Sequence, residues 1–156
     1  MKSILMVCLG NICRSPLAEG ILRHKLLDAG ILDLKVDSAG TSNNHIGQHP
    51  DSRSIKNALS HGIDISKLRA RQFSVADFDS FDLIYVMDSS NYRDVLALAR
   101  NDSDKRKVEL LLNVKWTGKN IAVPDPYYGA GDGFETVFRL VEQACDEIVK
   151  AVKSDI

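Results

Sequence analysis

Residues 7–20 read VCLGNICRSPLAEG, and this stretch decides the fold. Before it, Ile4, Leu5, Met6 and Val7 make a continuous apolar run, the pattern of a buried strand. Cys8 closes that run, and Arg14, Ser15 and Pro16 follow across a short loop. Pro16 suits the first turn of a helix, where its missing N–H is no loss. Leu17, Ile21, Leu22 and Leu26 then repeat at helical spacing, and Gly30 offers a stop. A loop of backbone N–H groups entering a helix N-terminus is a ready anion site. Arg14 adds a planar fork that matches two phosphate oxygens. Cys8 at the base of this positive potential is favoured as thiolate, the nucleophilic form. A bare Cys-x5-Arg pair would mean little, since a buried cysteine, a solvated arginine and an ordinary turn explain it. Here the strand before, Gly10 and Asn11 inside, and the Ser-Pro start after all agree.

The same alternation continues outward. Residues 3–8 read as a first strand and 15–29 as a first helix. A short second strand over 34–38 leads into the polar stretch SAGTSNNHIGQHP, and a helix over about 51–60 ends at Gly62. Residues 82–87 (DLIYVM) form another continuous apolar run, with Asp88 or Ser89 able to cap a helix reaching Arg100. Val108–Leu112 is a fourth strand candidate. Phe134, Val137, Phe138, Val141, Cys145, Ile148, Val149 and Val152 mark a long last helix. The expected fold is α/β: a single domain over 1–156, a doubly wound four-stranded parallel sheet with helices on both faces. Ligand chemistry then belongs at the carboxyl ends of strands, where Cys8 sits.

Composition agrees with a globular enzyme of modest charge. The chain has 156 residues, enough for one sizeable core, with 44% hydrophobic and 26% charged residues. A net charge of −1 gives no reason to expect nucleic acid or an anionic membrane as partner. Three cysteines make no disulfide framework and suit a reducing, cytoplasmic setting. The apolar start is cut off by Asn11 and Arg14, too short for a secretory core, and no run approaches the ~20 apolar residues of a membrane span. His24, His45, His49 and His61 show no ligand spacing, so neither metal nor cofactor is expected.

Five segments together resemble the low-molecular-weight protein tyrosine phosphatases. They are CLGNICRSP at 8–16, DSAGT at 37–41, DIS..RARQ at 64–72, FDLIYVMDSSN at 81–91 and VPDPYYG at 123–129. The resemblance implies hydrolysis of phosphotyrosine and aryl phosphates through a phosphocysteine on Cys8, with Arg14 clasping the phosphate. Leu9, Gly10, Asn11, Ile12 and Cys13 would form the phosphate loop. Asp125, stiffened by Pro124 and Pro126, reads alone as a turn aspartate; the resemblance makes it the general acid and later the base. Ser15 could donate to the Cys8 sulfur, Asn11 and Ser38 would shape the loop, and Asp88 would support it. Tyr127 and Tyr128 match rim aromatics, and Cys13 matches a cysteine that can pair reversibly with the nucleophile. Expected partners are tyrosine-phosphorylated proteins or small aryl phosphates, and the expected state is a monomer or weak dimer.

Two departures stand out. Asn44 occupies a rim position where many relatives have an aromatic, so one pocket wall is missing or supplied elsewhere. Leu68 replaces a histidine, which puts histidine-tuned support of Asn11 in doubt. Two other readings use the same loop. A thioredoxin-coupled arsenate reductase needs a further redox pair, and residues 73–100 hold no cysteine. A phosphate-binding module without turnover would have no use for both a nucleophile and an acid.

Overall fold

The computed structural model describes residues 2–128 and 132–155, with the Tyr128 side chain excepted. Four strands form one parallel sheet: β1 (Ser3–Cys8), β2 (Lys35–Gly40), β3 (Leu83–Val86) and β4 (Val108–Leu110), in the order β2-β1-β3-β4. All six residues of β1 are buried, which is why its sequence shows no polar alternation. The alternation is between two cores instead. Ile4, Met6 and Cys8 face one, with α1 (Arg14–Asp28) and α6 (Gly133–Ser154). Leu5 and Val7 face the other, with Phe78 of α3 (Asp77–Ser80) and Val95 of α4 (Ser89–Leu96). Helices thus cover both faces, as the sequence pattern implies. Each fully buried Ile, Leu or Met side chain contributes about 1.5–3 kcal/mol of transfer free energy, so this central strand anchors the fold.

Several boundaries differ from the sequence reading, each for a local reason. The first helix begins at Arg14 and ends at Asp28. The second strand runs on to Gly40, because Ala39 and Gly40 pair with Val7 and Cys8. Gly40 is required there: a Cβ would stand 2.8 Å from the Leu9 carbonyl oxygen and 3.0 Å from Asn11 N, so the loop after β1 crosses directly over it. The helix after Asp88 stops at Leu96, and Asn101 caps a separate α5 (Asp102–Arg106) by accepting from Asp104 N at 2.9 Å. The fourth strand ends at Leu110, and Leu111–Val114 turns as a 3-10 segment. The remaining helix, α2 (Ser52–Ser60), matches its expected span to one residue, with Asp51 as its cap.

β1 lies inside the sheet, with β2 on one side and β3 on the other. The chain therefore reverses its winding direction at β1. Loops leaving the carboxyl ends of β1 and β3 diverge there and open the crevice in which this fold class binds ligands. No helix among the described residues is long and apolar enough to cross a membrane.

Candidate active site

Cys8 ends β1 and is buried, 3% exposed, beneath the loop that leads into α1. The loop curls back over the sulfur: Asn11 N donates to Cys8 Sγ at 3.3 Å, and Ser15 Oγ lies 3.0 Å away. That curl requires a left-handed residue, and Asn11 has φ 57°. Its amide holds it in place. Nδ2 donates to Ser15 Oγ at 2.8 Å and to Ser38 Oγ at 3.0 Å, and Oδ1 accepts from Arg71 N at 3.0 Å. The left-handed conformation costs about 1–3 kcal/mol, and these three hydrogen bonds at about 0.5–1.5 kcal/mol each offset it. The doubt raised by Leu68 is settled by this geometry: backbone N–H of Arg71, and no histidine, supports Asn11, while Leu68 packs on the core.

The polarity of these bonds assigns the Ser15 proton. Asn11 Nδ2 can only donate, so Ser15 Oγ accepts from it and its own O–H is left for Cys8 Sγ at 3.0 Å or the Ala39 carbonyl at 3.3 Å. Ser38 in turn donates to Glu19 Oε1 at 2.6 Å. Glu19 is 2% exposed, and burial raises its pKa, with the Ser38 bond and the Arg23 charge pulling it back. Arg23 Nη2 stands 2.7 Å from Oε2 as an ion pair, and the same nitrogen donates to the Val36 carbonyl at 2.6 Å. Sequence reasoning missed Glu19; the available signal was its place one helical turn beyond Ser15.

Arg14 opens α1 with its guanidinium buried. Nη1 donates to Asp88 Oδ2 at 2.7 Å and to the Val123 carbonyl at 3.0 Å, and Nη2 lies 3.6 Å from Asp125 Oδ2. Asp88 has two functions at once: its other oxygen accepts from Asn91 N at 2.8 Å and caps α4. Val123 ties the Asp125 loop to the sheet, since its N–H donates to the Met87 carbonyl at 2.8 Å. Two residues on, Asp125 accepts from Tyr127 N at 3.0 Å, and its carboxyl remains 30% exposed at the cavity mouth.

These groups meet in one cavity of about 80 Å³. Cys8, Gly10, Cys13 and Arg14 line it with Asp125, and Leu9, Ile12 and Tyr127 are among its lining residues. Ser42, Asn44 and His45 complete it. Arg53 braces the rim: its guanidinium pairs with Asp51 at 2.9 Å and lies 5.5 Å from the Tyr127 ring centroid and 4.8 Å from that of Phe134. The Tyr128 side chain, also expected on the rim, lies outside the described residues. Cys13 packs with Ile12, Ala70 and Phe134, and burial, then the charges of Asp51, Cys8 and Asp125, push its thiol up to about 12 against the opposing pull of Arg53. Cys145 is wholly enclosed in the core of α1 and α6, where burial pushes its thiol up as well.

With this geometry in view, similar proteins are informative. The family model for low molecular weight phosphotyrosine protein phosphatase matches residues 3–156. The human low molecular weight phosphotyrosine protein phosphatase is 43% identical over 146 residues, covering 92% of this chain and 91% of its own. A crystal structure of a protein tyrosine phosphatase from Entamoeba histolytica, with Hepes in its active site, superposes with TM-score 0.91 at 35% identity, covering 99% of both chains. A Drosophila arginine phosphatase superposes with TM-score 0.90 at 33% identity, covering 100% of both. A thiol that accepts from the Asn11 amide, an arginine lining the same cavity, and a likeness that runs the length of the chain all lead to one placement: the chain belongs to the low molecular weight phosphotyrosine protein phosphatase family.

Proposed function

We propose that this chain hydrolyses phosphotyrosine and aryl phosphate monoesters by two displacements at phosphorus. The observation that carries this reading is Cys8 Sγ, held by Asn11 N–H and the Ser15 hydroxyl, in one cavity with Arg14 and Asp125. In the first step the Cys8 thiolate forms an S–P bond as the ester P–O bond breaks, and the leaving oxygen takes the Asp125 proton. In the second, water attacks phosphorus, Asp125 takes a proton back, and the S–P bond breaks to release phosphate. Loop amides and the Arg14 fork face charge that builds on the equatorial oxygens. Ser15 O–H stabilises the sulfur both as nucleophile and as leaving group. Gly10, Leu9, Ile12 and Cys13 supply the loop, and Tyr127 its rim.

The test is release of p-nitrophenol from its phosphate, with Cys8→Ser inactive yet still binding phosphate or vanadate. Capture of labelled phosphorus on a residue other than Cys8 would overturn the assignment. Because one structural neighbour is named an arginine phosphatase, phosphoarginine belongs in the same assay. The apolar side chains of Leu9, Ile12 and Tyr127 favour the flat aryl ester over a charged guanidinium, so phosphotyrosine should turn over faster. The three cysteines are all free thiols, which fits action in a reducing compartment such as the cytoplasm.

A further inference from the structure

The Asn11 amide is gripped from two sides, and one guanidinium joins the two grips. On one side Arg71 N donates to Asn11 Oδ1 at 3.0 Å; on the other Ser38 Oγ accepts from Nδ2 at 3.0 Å. Backbone bonds bring the two partners together. Gly40 N donates to the Arg71 carbonyl at 2.9 Å and Phe73 N to the Gly40 carbonyl at 2.7 Å, so residues 71–73 run beside the carboxyl end of β2. The Arg71 side chain then locks this arrangement. Nη1 and Nη2 fork onto Asp77 at 3.1 and 3.0 Å, while Nε donates to Asp37 Oδ2 at 3.2 Å. Asp37 passes the connection on, because its Oδ1 accepts from Ser38 N at 2.8 Å. Asp77 anchors the far end: it is buried and accepts from Ser74 N at 2.9 Å. Arg71, Asp37 and Asp77 all stand outside the cavity that holds Cys8.

We propose that Arg71 is a positioning residue for the loop over Cys8, acting on Asn11 through Asp37 and Ser38 on one side and through its own backbone on the other. The inference rests on the reading that Cys8 is the nucleophile of a phosphate monoesterase. Asn11 depends on both grips, because it holds the left-handed conformation that turns its N–H onto Cys8 Sγ. Its Nδ2 also sets the Ser15 hydroxyl that faces the same sulfur. A loosened grip lets the left-handed backbone relax, and both donors lose their aim at sulfur together. A planar guanidinium suits this task, since it meets two carboxylates at once and keeps little freedom in doing so.

Asp37→Asn cuts this linkage with the least disturbance. Its Oδ1 keeps the Ser38 N–H, its Nδ2 faces the Arg71 guanidinium donor to donor, and the fork on Asp77 stays. The readout is the pH midpoint of Cys8 alkylation by iodoacetamide, a neutral reagent, located by fragment mass, together with kcat for p-nitrophenyl phosphate. Asp37→Asn should raise the midpoint by about 0.4–1 pH unit and lower kcat about three- to ten-fold, the worth of one hydrogen bond to the sulfur. Arg71→Met, in protein shown to be folded by circular dichroism, should shift both at least as far; if it does not fold, Asp37→Asn decides alone. Neither substitution should move the midpoint in an Asn11→Gly background, where glycine keeps the left-handed turn but offers no amide to grip. A midpoint unmoved in Asp37→Asn, or moved equally with and without the Asn11 amide, would overturn the proposal. Absence of p-nitrophenol release from the unmodified chain would instead overturn the phosphatase reading. Alkylation needs no turnover, so the two failures are told apart.

Discussion

Asp125 gives the most discriminating test at the scale of single residues, because its role depends on the leaving group. An acid matters most when the departing oxygen is a poor leaving group. Asp125→Asn should therefore slow phosphotyrosine or phenyl phosphate by about 10²–10⁴-fold, and p-nitrophenyl phosphate by much less. Equal slowing of all esters, with phosphoenzyme formed at the normal rate, would remove Asp125 from the acid role. Arg14→Lys should be severe as well, since a point charge cannot replace a fork already oriented by Asp88 and the Val123 carbonyl. Cys13 shares the cavity with Cys8, and its thiol is pushed up to about 12. Peroxide would convert Cys8 to a sulfenic acid, and attack by the Cys13 sulfur would form a disulfide with loss of water. The protonated state of Cys13 makes that closure slow. Activity lost to peroxide should return on adding a thiol in the unmodified chain and stay lost in Cys13→Ser; equal recovery in both would leave Cys13 a packing residue.

At the scale of elements, two helix ends and a strand end share one carboxylate. Asp88 caps α4 through Asn91 N and orients Arg14 at the start of α1. Substitution can part these functions. Asparagine caps a helix about as well as aspartate, but with its Oδ1 on Asn91 N its Nδ2 faces Arg14 Nη1 donor to donor. Asp88→Asn should keep thermal stability nearly unchanged while kcat falls about ten- to a hundred-fold, the value of one charge-assisted hydrogen bond. Asp88→Ala should lose the activity and in addition about 1 kcal/mol of stability from the missing cap. Equal stability loss in both variants, measured by chemical denaturation, would show that the Arg14 pair and not the cap sustains the element.

At the scale of the whole molecule, titration pulls stability in two directions. Asp104, held by the Arg100 guanidinium and backbone, has its pKa lowered. A lowered carboxylate binds fewer protons in the folded chain than in the unfolded one, so its stabilisation is present above the ordinary aspartate value and lost as pH falls through the folded one. Buried Glu19 has the opposite sign. Its raised pKa means that the folded chain binds the proton more tightly, so stability declines as pH rises from the ordinary glutamate value through the raised one. Glu19→Gln should remove that decline, and its stability relative to the unmodified chain should rise with pH across that window. Denaturation curves at several pH values check the sign; a difference that is flat with pH would show that Glu19 ionises freely.

Residues that lie close along the chain were legible from the order of amino acids alone. The strand, loop and helix from Ser3 to Asp28, with Cys8, Asn11, Arg14 and Ser15 on them, were legible because apolar runs, a Ser-Pro start and helical spacing are local signals. Asp88 was legible as a cap for the same reason. What the tertiary structure alone decided is convergence. Parallel pairing of β1 with β2 and β3 brings all three carboxyl ends to one edge, which sets Ser38 and Arg71 on Asn11, and Asp88 and the Val123 carbonyl on Arg14. Arg14 and Val123 stand 109 residues apart, and no spacing rule spans that distance. The same holds for Glu19 and Arg71, which in sequence are an ordinary helical glutamate and a loop arginine. Burial beside Ser38 gives one its shifted charge, and the carboxylates of Asp37 and Asp77 give the other its place, and both arise only when distant backbones pack together.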